Sequence, residues 1–264
     1  MTPILMLGAG RMGGALIEGW RAAGAFQAAE LIIREPFESP ALDALRAAGA
    51  AVNPQDAALA AARTVLLAVK PQMWREAAAQ VAAHLAPDAV IVSIAAGVRA
   101  ADISQAFGGR AVARIMPTTA VAVRQGTASV YAPDPVAAER ARALFAPVGA
   151  VVEVADEDLM HAATGVSGSA PAYLYAFVEA LEAAGAAAGL PAEDAARLAR
   201  STIVGAAALL AQSGEEPAEL RRQVTSPGGT TQAALEVLMG EGGFPELLRD
   251  AVAAAARRSR ELGG

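Results

Sequence analysis

Apolar positions along this chain follow two rhythms. In the first 158 residues, short and nearly unbroken apolar runs alternate with stretches whose apolar residues recur at helical spacing. The runs are Ile4–Leu7, Leu31–Arg34, Thr64–Val69, Ala89–Ile94 and Val112–Met116, with two weaker ones in TASVYA and VVEV. A strand that is apolar at every position, rather than at alternate ones, has helices over both of its faces. The alternation therefore predicts βαβ units around a parallel sheet. Helices are expected near Gly13–Ala23, Ala41–Ala48, Trp74–Leu85 and Pro135–Phe145, with a further short one before Val112. After Asp156-Glu157-Asp158 the strands stop. Helical spacing then runs through Pro171–Ala188, Ala192–Gln212, Thr230–Met239 and Pro245–Glu261, with GLP, SGEEP and GEGGFP as breaks.

Between the first run and the first helix lies Gly8-Ala9-Gly10-Arg11-Met12-Gly13, a GxGxxG series in the strand–turn–helix setting that a dinucleotide-binding loop requires. Gly8 permits the tight turn, Gly10 lets backbone approach a pyrophosphate, and Gly13 lets helix and strand pack closely. The helix start attracts the phosphate charge. The fold class expected is thus α/β: a Rossmann-type domain over residues 1–158, then an all-α domain over 159–264 for dimerisation and substrate binding. Where an NAD-binding domain carries an acid to hold the ribose, the second strand ends in Arg34 followed by Glu35. Arginine there can pair with a 2′-phosphate through its planar fork, which favours NADPH; Glu35 leaves NADH possible. Arg34 as a solvated strand end is the bland alternative.

Composition narrows the rest. With 264 residues, 55% of them hydrophobic but only 4% aromatic, the chain can bury two modest, alanine-rich cores, which excludes disorder. The uncharged stretch between Arg200 and Glu215 is short and holds Ser201, Thr202, Gln212 and Ser213, so it reads as a buried helix and no membrane partner is expected. No cysteine occurs, and His84 and His161 have no ligand-spaced partner, so neither disulfides nor a metal are expected. His161 reads as a surface or packing residue rather than an acid. A formal charge of −6 without a basic block lacks the footprint of nucleic-acid binding. The first residues form no basic leader, which points to the cytoplasm. Lys70 is the sole lysine.

The segment TSPGGTT is informative by itself. Pro227 stiffens a turn, Gly228 and Gly229 free the backbone, and Thr230 opens a helix whose first N–H groups lack internal partners, a natural carboxylate site. Thr225, Ser226, Thr230 and Thr231 line it with hydroxyls. One of these could serve as an ordinary helix cap, but a cap does not require four.

Four segments, GAGRMG, LLAVKPQ (Leu66–Gln72), ATGVSGSAPAY (Ala163–Tyr173) and VTSPGGTTQAAL (Val224–Leu235), together resemble pyrroline-5-carboxylate reductase over essentially the whole chain. The resemblance implies hydride transfer from NADPH to the C=N bond of 1-pyrroline-5-carboxylate, giving L-proline. It places Ala68, Val69, Lys70 and Pro71 beside the cofactor, with Asn53 near its adenosine part and Ile94, Ala95 and Ala96 on a further cofactor loop. Ala68 and Ala95 could equally be close-packing positions. It makes Thr231 the hydroxyl that orients the ring nitrogen. The carboxylate falls to Ser226, Gly228, Gly229, Thr230 and Thr231, and Glu157 and Thr164 stand on the substrate side. Glu157 could equally be part of a solvated acidic turn. Family members usually carry Met-Pro-Asn-Thr-Pro where this chain has Met116-Pro117-Thr118-Thr119-Ala120.

Two other readings remain at this point. A β-hydroxyacid dehydrogenase shares the architecture but resembles its relatives in using a C-terminal-domain lysine, and none occurs beyond Lys70. A catalytically silent NADP-binding regulatory protein would keep the fold without the chemistry. Tyr173–Val178, Ile203–Leu210 and Leu247–Val252 carry more apolar surface than a thin helical layer can hide, so a homodimer or larger homo-oligomer is expected.

Overall fold

A computed structural model describes residues 1–263, so Gly264, the last residue of the expected helical domain, lies outside the described residues. The chain forms two compact units, Met1–Gly168 together with the segment from Ala254 onward, and Ser169–Ala253.

In the first unit, strands and helices alternate as the apolar rhythm requires. They run β1 (Ile4–Leu7), α1 (Arg11–Ala23), β2 (Leu31–Arg34), α2 (Pro40–Ala47), β3 (Ala51–Val52), β4 (Thr64–Leu67), α3 (Trp74–Val81), β5 (Val90–Ser93), α4 (Ala100–Ala106), β6 (Val112–Pro117), β7 (Gly126–Tyr131), α5 (Pro135–Phe145), β8 (Gly149–Glu153) and α6 (Leu159–Ala163). The sheet order is β3-β2-β1-β4-β5-β6-β7-β8. Alternate residues of each strand face opposite layers. Ile4 and Met6 join Leu16, Trp20, Leu144 and Phe145 in one core, while Leu5 and Leu7 join Trp74, Val81, Ile103 and Phe107 in the other.

Pairing is parallel from β3 through β6, but β6 and β7 are antiparallel. This departs from the all-parallel expectation. The link holds only a 3₁₀ turn, Thr119–Val123, and a parallel crossover needs about a dozen residues or more, so the chain doubles back. Thr118 secures the reversal: its hydroxyl accepts from Thr127 N–H at 3.0 Å and its own N–H donates to Thr127 O at 2.9 Å. Two other bounds shift. The third helix tightens into 3₁₀ geometry at Ala82–His84, and the two-residue β3 was too short for periodicity to reveal.

The second unit is built from α7 (Ala170–Ala187), α8 (Ala192–Ser213), α9 (Pro217–Gln223), α10 (Thr230–Leu238) and the first part of α11 (Phe244–Gly263). α9 begins at the last residue of the SGEEP break and runs through a stretch for which no helix was expected. Pro217 occupies its first turn, where a missing N–H costs nothing. α7 and α8 form a close pair in which Gly185 lies against Ala195, one of only two buried residues on α8. Phe177 meets Phe244 edge to face at 5.8 Å. Among the described residues no helix is long and apolar enough to cross a membrane, and no group of three or more acidic, histidine or cysteine side chains is placed to hold a metal ion.

Candidate functional site

Strand order places a switch point between β1 and β4, whose connecting helices leave to opposite faces; ligands of open α/β sheets bind in the crevice at that point. Gly8 follows β1 there and Ala68 follows β4. Gly8 has φ +93°, and a Cβ on it would stand 2.9 Å from Ala68 O, so both the turn and its neighbour demand glycine. Gly13 meets the same demand from inside, since a Cβ would lie 2.5 Å from Gly8 O. Gly10 is different. Its φ is −67°, and a Cβ there would find no protein atom within 4 Å. Nothing in the fold requires Gly10 to be bare, and the space beside it is open for a pyrophosphate to approach the loop. No side chain caps the start of α1, leaving its N–H groups for an anion. A dinucleotide fits this cradle, and Ala9, Arg11 and Met12 surround the glycines.

Beyond β2, Glu35 turns back onto the loop: its carboxylate accepts from Ala9 N–H at 2.8 Å and from Phe37 N–H at 3.1 Å. Arg34, whose carbonyl accepts from Gly8 N–H at 2.8 Å, sends its guanidinium to Asp56, with Nη2 2.5 Å from Oδ1, while its Nε is buried without a partner among the described residues. Asn53 takes φ +49°, a region asparagine tolerates, and its side chain closes both ways on the Glu35 backbone, at 3.0 Å and 2.9 Å. It thereby fixes the end of β2. Val69 and Pro71 are half-buried and Lys70 is exposed after β4; Ile94, Ala95 and Ala96 follow β5, with Ala95 buried and its N–H on Ser93 Oγ at 3.2 Å.

Glu157 lies in a closed network within the first unit. It accepts from Ala100 N–H at 2.7 Å, capping α4, and pairs with the buried guanidinium of Arg114 on β6, also at 2.7 Å. Both oxygens have cations nearby, since Arg99 is 3.6 Å away on the other side. Thr164 begins a π-helical turn, Thr164–Gly168, that follows α6; its hydroxyl returns to Met160 O at 2.7 Å. Ser167 reaches Ala163 O at 2.8 Å and Ser129 on β7 at 3.3 Å, and Gly168 packs on Met116. Such turns recur at functional sites, and the Gly-Val-Ser-Gly run was its only trace in the sequence. His161 is buried, its Nδ1 3.0 Å from Ser259 Oγ. Burial, with Arg114 and Arg260 adding to it, lowers its pKa, so its ring is neutral near pH 7.

The TSPGGTT segment lies in the second unit. Gly228 has φ +69° and its N–H goes to Gln232 Oε1 at 2.8 Å; Gly229 N–H goes to Ser226 O at 3.0 Å. Thr225 spends its hydroxyl on Arg221 O at 2.6 Å. Gly229 caps α10 without any side-chain bond, so the first free amides are those of Thr230, Thr231 and Gln232, one position later than Gly229. The hydroxyls of Ser226, Thr230 and Thr231 have no partner among the described residues. Tyr173 Oη, on α7, is buried and equally unpartnered. That orphan was not foreseen as more than part of a motif.

The pyrroline-5-carboxylate reductase dimerisation family matches residues 157–262, and the family described as NADP oxidoreductase coenzyme F420-dependent matches residues 3–97. Pyrroline-5-carboxylate reductase of Pseudomonas aeruginosa is 42% identical, over 99% of this chain and 97% of its own. A pyrroline-5-carboxylate reductase structure from Coxiella burnetii superposes with a TM-score of 0.91 at 31% identity, covering 100% of this chain and 99% of its own. A Plasmodium falciparum pyrroline carboxylate reductase structure with NADP bound gives 0.84 at 25%, covering 100% and 98%.

Proposed function

The chain belongs to the pyrroline-5-carboxylate reductase family, and from that premise we propose that it reduces the C=N bond of 1-pyrroline-5-carboxylate to L-proline with NADPH, NADH being the lesser donor. The observation that carries the substrate half is the start of α10, where the Thr230, Thr231 and Gln232 amides have no side-chain cap. A helix start presents roughly half a positive charge, which matches one small carboxylate. Ser226 and Thr230 add hydroxyl donors around it, with Gly228 and Gly229 shaping the turn, and no acidic residue lies within the TSPGGTT segment to repel the anion. Thr231 is the catalytic hydroxyl, holding the ring nitrogen so that the imine carbon is presented in one orientation. The iminium form brings its own proton. The hydride adds to the imine carbon, C2 of the pyrroline ring and C5 of the proline formed, so that C=N becomes C–N and no separate general acid is needed.

When bound, the reduced nicotinamide supplies the hydride. Gly8 to Gly13 would hold the cofactor's pyrophosphate, with Gly10 leaving room for it. Arg34 takes the 2′-phosphate and Asn53 keeps the end of β2 in place for it. Ala68 to Pro71 and Ile94 to Ala96 line the remainder. Glu157 acts on the substrate side through Arg114 and the start of α4, and Thr164 through the π turn, both as positioning residues. The second unit joins two copies into a homodimer. No lysine in that unit supplies the acid–base group that a hydroxyacid dehydrogenase would use.

The test is direct. NADPH absorbance should fall and proline should appear when the protein meets 1-pyrroline-5-carboxylate. Thr231→Val should lower kcat/KM by about tenfold to a hundredfold, the range of one hydrogen bond to a charged group. Normal proline formation by a folded Thr231→Val, Gly229→Leu double variant would refute the assignment.

A further inference from the structure

We propose that Asp56 tempers this chain's preference for a 2′-phosphorylated dinucleotide by competing for Arg34. The inference rests on the reading of Arg34 as the 2′-phosphate residue. Asp56 opens the 3₁₀ turn Asp56–Ala61, which follows β3, and stands 22 positions from Arg34. Its Oδ1 takes Arg34 Nη2 at 2.5 Å, and its other oxygen faces His84 Nε2 at 3.6 Å.

Charge counts against an incoming phosphate here. Arg34 is flanked by Asp56 on its guanidinium and followed by Glu35, whose carboxylate is tied to the glycine loop through Ala9 N–H. One guanidinium stands against two carboxylates here, and the sole lysine, Lys70, belongs to the turn after β4. A 2′-phosphate must share or displace Asp56, whereas a ribose hydroxyl needs no such exchange. The pose also leaves Arg34 Nε buried and unbonded, so the Asp56 pair holds the side chain where one of its five donors is unused. Asp56 itself is half exposed and its pair with Arg34 is at the surface, so the effect is a moderate bias rather than an absolute filter.

The test is calorimetric titration of the whole protein with 2′,5′-ADP and with 5′-ADP at fixed ionic strength. Asp56→Asn should tighten 2′,5′-ADP by about three- to fivefold, the scale of one partly exposed ion pair, and leave 5′-ADP unchanged. Asp56→Ser, a smaller uncharged replacement, should move the ratio the same way and covers the case of a poorly folded Asn variant. A ratio that stays put, or falls because Asp56 was aligning Arg34, overturns the inference. Arg34→Gln separates the two levels. If it weakens 2′,5′-ADP while the Asp56 variants do nothing, only the role of Asp56 is lost. If it too leaves the ratio unchanged, the 2′-phosphate reading of Arg34 fails, and the inference with it.

Discussion

Gly10 and Gly13 are three positions apart and answer to different neighbours. A methyl group on Gly13 would press on the carbonyl of Gly8, and overpacking of that kind costs about 1–3 kcal/mol. On Gly10 it would touch no protein atom. Gly13→Ala should therefore lower the thermal midpoint. Gly10→Ala should leave it unchanged yet weaken dinucleotide binding by about tenfold or more, as steric loss at a backbone-to-pyrophosphate contact implies. Equal midpoints for the two variants would contradict the division. The spacing of these glycines was legible because they fall within one short strand–turn–helix segment. What Arg34 and Glu35 do was not, because their partners, Asp56 and Ala9, are 22 and 26 positions away and only tertiary structure brings them near. Thr118 is a similar case. Read as a lost family asparagine, it extends the β6–β7 pairing at the reversal through its two bonds to Thr127.

At the level of elements, the long strands and helices were legible in the apolar rhythm, since burial on both faces leaves an unbroken run. The features that escaped are short or depend on exceptions. β3 has two residues, α9 begins at a proline that reads as a stop, and the π turn left no trace beyond the Gly-Val-Ser-Gly run. The joining of α6 to α11 by His161 and Ser259 also lay beyond the sequence, and it makes stability depend on pH. Because the folded protein lowers the pKa of His161, the neutral ring is the form that folding favours. That contribution is complete above the unfolded value of about 6.5 and is lost as pH falls through it toward the folded value. His161→Gln keeps a hydrogen-bonding group for Ser259 but does not titrate. Between about pH 7.5 and 5.5 the parent protein should lose more thermal stability than this variant does, and identical losses would remove His161 from the account.

For the whole molecule, the division into a sheet-bearing part and a helical part was legible from where the strands cease, and the excess of apolar surface in the helices was legible too. In the folded chain α7 buries no residue fully, and Val204 and Leu209 on α8 remain 70% and 64% exposed. Apolar helices this bare are covered by another copy in stable homo-oligomers, in keeping with the dimerisation family that the same residues match. Light scattering should find a dimer or larger species. Val204→Lys with Leu209→Lys should shift it toward the monomer without loss of helical signal, and an unaltered mass would place the interface elsewhere. α11 starts among these helices and finishes in the other unit, where Ala256 and Ser259 are buried. The helical part is therefore an insertion in the chain, entered after Gly168 and left before Ala254. A fragment ended at Gly168 would carry every strand yet leave the His161 ring open to water, so one cut cannot liberate the nucleotide-binding half intact.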